Sequence, residues 1–174
     1  MMFTSEEATA LIELTKKVET NGKLNDSLTF DQPILFNKRY TLGTEENKDL
    51  IFLYEINQSK KHLLKLTLYL MDDETKIGLL RIDFSGQHKN PETIKDNVPP
   101  HFHPYAGKFF NYNEHHIHYY VEGYKTPLDW ALPLTADDFP IKEIKNNNDI
   151  LKAFYSFNKI INLITVFNIN EKLL

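Results

Sequence analysis

Five of the seven histidines in this chain fall within PPHFHPYAGKFFNYNEHHIHYY, residues 99–120. Imidazole titrates near neutral pH and ligates transition metals, so the stretch admits two chemistries, proton transfer and coordination. For proton transfer, two histidines on one strand face divide the taking and giving of a proton, and a neighbouring cation stabilises the charge that develops. His116 and His118 are the pair at that spacing. Arg81 or Lys89 then holds a phosphate, Asp83 or Glu122 orients an imidazole, and Tyr120 stacks on a base or donates a hydrogen bond. His88, Asn90, His101, His103 and Tyr105 complete the set as binding residues. The expected activity is histidine-based acid–base chemistry on nucleic acid or another phosphate-bearing substrate, metal-independent, in the manner of a toxin-like ribonuclease.

Two alternatives stand beside it. His101 and His103, with His116 and His118, form two H-x-H elements that suit zinc or another divalent transition metal, with Asp83, Glu114 or Glu122 as carboxylate partners. Pro104 speaks against a central-strand position for the first of them. The other alternative is a non-catalytic binding protein, an inhibitor of a host defence nuclease or a toxin–antitoxin partner. Phe102, Tyr105, Phe109, Phe110, Tyr112, Tyr119 and Tyr124 crowd the histidines, and exposed aromatic side chains are common interface anchors. The same aromatics and imidazoles also suit a hydrogen-bonded core beneath a long loop, in which Trp130 is a packing residue and Asn90-Pro91 and Pro99-Pro100 shape the chain.

The elements that must position these residues follow from periodicity. Thr4 or Ser5 before Glu6 and Glu7 is an N-cap pattern, and Ala8, Leu11, Leu14 and Val18 predict an amphipathic helix over residues 4–19, ending near Asn21-Gly22-Lys23. From Ile34 the period shortens toward two. ILFNKRYTLG, DLIFLYEINQ, HLLKLTLYLM and KIGLLRIDFSG read as four strands joined by short charged turns, an antiparallel meander. HHIHYYVEGY reads as a fifth. Alternation puts His116, His118, Tyr120 and Glu122 on one face of it, and pairing with the fourth strand adds Arg81 and Asp83. Residues 86–114, which join the two strands, form a connection of the length that functional loops have. NNNDILKAFYSFNKIINLITVFNI closes the chain as a helix capped by Asn148 or Asp149, with Ile150, Leu151, Phe154, Phe157 and Ile161 as its apolar stripe. The expected fold is α+β, an antiparallel sheet of about five strands flanked by an N-terminal and a C-terminal helix in a single domain of residues 1–174.

Composition narrows the partners. With 174 residues, no cysteine and a formal charge of −4, thiolate metal sites and disulfides are excluded and broad capture of nucleic acid by a basic surface is disfavoured. Neither a signal peptide nor an apolar run of the roughly 18 residues that a span requires is present, so a cytoplasmic protein with no membrane partner is expected.

LLRIDFSGQHKNP, HIHYYVEGY and WALPL, within residues 79–91 and 116–134, resemble a family of small uncharacterised proteins of low-GC bacteria and their phages or mobile elements. The pattern L-R-x-D…G-x-H-x-N-P, then H-x-H-x-Y-x-E-G and W-A, falls on Arg81, Asp83, His88, Asn90, Pro91, His116, His118, Tyr120, Glu122, Gly123 and Trp130. The segment PPHFHPYAGKFFNYNE, which carries His101 and His103, is additional to it. The resemblance implies a mobile-element setting and carries no assigned activity.

Overall fold

The computed structural model describes residues 2–31, 37–62 and 64–170. In chain order it contains α1 (Ser5–Glu13), β1 (Lys17–Thr20), β2 (Lys23–Asn25), β3 (Ser27–Asp31), β4 (Lys38–Gly43), β5 (Ile51–Gln58), β6 (Leu66–Asp72), β7 (Gly78–Phe84), β8 (His88–Lys89), β9 (Phe109–Phe110), β10 (His116–Tyr119), β11 (Trp130–Pro133), α2 (Asn147–Ile160) and β12 (Val166–Asn170). The class is α+β with an antiparallel sheet, but the sheet has eight strands rather than about five, in the order β2-β1-β4-β5-β6-β7-β10-β11. The predicted strand positions at Ile34, Leu35, Phe36 and Leu63 lie outside the described residues.

Two of the missed strands, β1 and β12, lie in segments read as helix. Thr4 caps α1, its hydroxyl accepting from the Glu7 amide at 3.1 Å while its own amide donates to the Glu7 carboxylate at 2.8 Å. The helix nevertheless stops at Glu13, not near residue 19. Asn21 and Gly22 have φ of 52° and 74°, the two positive angles of a tight hairpin turn, so the dipeptide read as a helix end joins β1 to β2. Lys16 seals the break: its buried ammonium donates to the carbonyls of Ile12 and Leu14 at 2.8 Å and of Ile161 at 3.1 Å. At the other end, Asn146 rather than Asn148 or Asp149 caps α2, accepting from both of their amides. Asn162 at φ 51° ends that helix, and residues 166–170 pair in parallel with β3 instead of continuing it.

The two faces of the sheet differ. Phe52, Tyr54, Ile56, Leu68, Leu80, Ile82 and Ile117 are fully buried on one face, and α2 closes it by stacking Phe154 and Phe157 on the Tyr54 ring at 6.2 and 5.4 Å. The opposite face is polar. At its β7–β10 end it is covered by the connection from Gly86 to Glu114, which contains the short β8–β9 ladder and a 3-10 helix over Pro100–Tyr105. Among the described residues no helix is long and apolar enough to cross a membrane.

Candidate functional site

The register of β7 against β10 builds the site. His116 lies opposite Asp83 and His118 opposite Arg81, so alternation turns all four side chains to the polar face. Asp83 is the hub. Its Oδ2 accepts from Arg81 Nε at 2.7 Å and lies 2.6 Å from Arg81 Nη2, 3.2 Å from His118 Nε2 and 3.8 Å from His116 Nε2. Its Oδ1 accepts from the Thr67 hydroxyl at 2.7 Å.

Backbone carbonyls fix both rings. His116 Nδ1 donates to the Glu114 carbonyl and His118 Nδ1 to the Leu128 carbonyl, each at 2.8 Å; a carbonyl only accepts, so each Nδ1 carries a proton. The two Nε2 atoms are thereby aimed at one carboxylate. Asp83, His116 and His118 are 4%, 0% and 1% exposed, and the Arg81 side chain, 39% exposed, faces solvent.

Burial sets the electrostatics. It pushes the His116 imidazole down to about 4, and the nearby Glu114 carbonyl and Asp83 carboxylate do not offset it. The neutral ring keeps its lone pair on Nε2, and that buried atom has no hydrogen-bond partner. Burial acts in the opposite sense on Asp83, but His118 and Arg81 outweigh it and hold the carboxyl well below the usual carboxylate range. His88 is also lowered, by burial and then by His118.

The loop arrives over the cluster because two local features permit it. Ser85 takes φ 71° and its amide donates to His115 Nδ1 at 3.0 Å. A Cβ at Gly86 would come within 3.3 Å of the Asp83 Cβ and 3.8 Å of His116 Cε1, so glycine allows the close approach. Asn90 then pins the loop to β11, donating to the carbonyls of Tyr105 and Ala131 and accepting from the Ala131 amide at 2.9 Å. His88, with Nε2 at 2.8 Å from the Asp129 carbonyl, lays its ring 4.5 Å from that of His118, and Phe110 lies 4.6 Å from His116.

The structure thus brings together Arg81, Asp83, His88, Asn90, His116 and His118. Tyr120 and Glu122 are not in the cluster, because β10 ends at Tyr119. The Tyr120 hydroxyl donates to the Phe3 carbonyl, and the Glu122 carboxylate accepts from the Ser5 amide at 2.9 Å, so both bind the start of α1. Lys89 points outward to Glu92. His101 and His103 are exposed on the 3-10 helix, where His103 Nε2 lies 2.9 Å from the Val98 carbonyl, and Tyr105 contributes its carbonyl to Asn90. The four-histidine set therefore does not converge. Thr67 was missed; its signal was a small hydroxyl side chain on the face opposite the leucines in LKLTLYL.

Chemically, the cluster is a two-histidine, one-carboxylate donor set. Ligand atoms of Asp83, His116 and His118 all lie within 4.8 Å of one another. Each imidazole also has the second ring nitrogen anchored to an acceptor, the usual support of a metal-bound histidine. No curated protein and no solved structure matches the chain. A family model matches residues 3–163, a span that includes both strands of the site and the loop above it. The chain belongs to the Family of unknown function (DUF6978).

Proposed function

We propose that this protein binds one divalent transition-metal ion through Asp83, His116 and His118. The observation that carries the reading is His116 Nε2: a buried lone pair with no partner, 3.8 Å from a carboxylate oxygen that His118 Nε2 also approaches. An acceptor facing an acceptor in a dry site is costly, and a cation between them removes the cost. Two imidazoles and one carboxylate suit zinc, cobalt, nickel or ferrous iron better than magnesium or calcium. Three protein ligands leave a coordination position open, the pattern of centres that polarise a small molecule or a water. Burial weighs against a polymeric phosphodiester, since neither imidazole presents a surface to it. The cysteine-free composition fits a cytoplasmic setting, and the lysine-rich composition with the resemblance noted above supports a low-GC bacterium or its mobile elements as the source.

The test is metal content by mass spectrometry on protein purified without a histidine tag and dialysed against zinc, with His116→Ala and Asp83→Asn beside it. One ion per folded chain, lost in both variants, is expected. Folded wild-type protein that retains no more zinc than the variants overturns the reading.

A second surface supports a protein-binding role. Leu64 and Tyr112, 45% and 56% exposed, line a groove with His62, Lys65 and Ser85, and Phe109 is 49% exposed on the same connection as Tyr112. Tyr112→Ala is expected to abolish partner capture while leaving metal content unchanged, measured by pull-down and mass spectrometry on one preparation.

A further inference from the structure

We infer that Arg81 is the resident counter-cation of this centre, competing with the metal ion for one oxygen and thereby setting which ions the centre accepts. The inference rests on the metal reading above. Asp83 Oδ1 is committed to the Thr67 hydroxyl at 2.7 Å, so Oδ2 is the oxygen nearest both imidazole Nε2 atoms that a metal would take. Arg81 holds that same atom with Nε at 2.7 Å and Nη2 at 2.6 Å. An ion bonded to Oδ2 at the roughly 2.0–2.2 Å of a carboxylate ligand enters the space of these donors. It also meets their positive charge at short range. At least one guanidinium contact must therefore break when the ion binds.

The geometry gives Arg81 room to do so. Asp83 and the two histidines are closed from solvent, whereas the Arg81 side chain is 39% exposed. Cross-strand pairing puts Tyr69 and then Glu55 in the same row of the polar face, so the guanidinium has polar neighbours on its outward side. The arrangement also accounts for the stability of the empty centre, since a buried carboxylate without a counter-charge is destabilising.

Selectivity follows. An ion that gains only the carboxylate, such as magnesium, does not repay displacement of a charged arginine contact made through two nitrogens, whereas an ion with strong affinity for two imidazoles does. Arg81 raises the threshold for entry without being a ligand.

The experiment titrates zinc, and separately magnesium, into tag-free wild type, Arg81→Met and Arg81→Lys against a chromophoric chelator, with thermal melting of the empty and zinc-loaded forms. Arg81→Met is expected to bind zinc at least tenfold more tightly than wild type and to melt lower when empty, with Arg81→Lys between them. Zinc-dependent folding of Arg81→Met supports the inference equally, whereas zinc binding by that variant alone upholds the competition and overturns the metal reading of the wild type. Wild type and Arg81→Met binding zinc with equal affinity, or the variant binding more weakly, overturns the role of Arg81 and leaves the metal reading standing. Absence of stoichiometric zinc in all three proteins overturns both.

Discussion

At the scale of single residues, two buried charges dominate this protein and are handled differently. Asp83 accepts from Arg81 and Thr67, so removing its charge leaves Arg81 unpaired and Thr67 facing an amide. Asp83→Asn is expected to destabilise the fold by about 2–4 kcal/mol, less than a fully buried pair would lose because Arg81 is partly exposed; urea denaturation measures it, and an unchanged midpoint refutes it. Lys16 is fully buried, with three carbonyl acceptors and the Phe52 ring 4.8 Å from its ammonium. Burial pushes it down to about 7 from 10.5, with Glu46 opposing. Because the folded-state value is the lower one, the unfolded chain binds more protons between about pH 7 and 10.5, and stability rises with pH across that window. Relative to Lys16→Met, the wild type is expected to gain stability between pH 7 and pH 9.5; parallel pH profiles for the two proteins would falsify this.

Among the elements, the connection over the polar face decides whether the cluster is closed. Asn90, 1% exposed, ties β8, the 3-10 helix and β11 together through one carboxamide. Asn90→Ala leaves a buried amide and two carbonyls without that partner and is expected to cost about 2–3 kcal/mol. Hydrogen exchange should then quicken across residues 86–114 while β5 and β6 stay protected. Uniform quickening throughout the sheet would show that the connection has no independent stability. This element was only partly legible in advance. Its length marks it as functional and points to His88 and Asn90, while Pro104 argues only against a central strand and does not by itself turn His101 and His103 to solvent. A 3-10 turn around Pro100 and Pro104 sets their direction, whereas the H-x-H spacing by itself suggests a strand.

For the whole molecule, β5 and β6 could be read directly, because alternating burial over eight and seven residues leaves a period of two in the sequence, and β7, buried on both faces, shows as an apolar run broken by Arg81 and Asp83. The capping box of α1 and the apolar stripe of α2 were equally readable. The sheet reaches eight strands because β1, β2 and β11 are only three or four residues long, too short for periodicity to register against helix. Sequence by itself determined the class, the central strands and the candidate pairing of Arg81 and Asp83 with His116 and His118, since alternation assigns faces once a strand is recognised. Only the tertiary structure decided that Tyr120 and Glu122 leave the cluster for α1, that Thr67 joins it, and that His116 Nε2 is left without a partner. Those outcomes depend on where β10 ends, on the register of β6 and on which carbonyl meets each Nδ1. They are fixed by contacts between residues far apart in the chain, which no local pattern of residue types encodes.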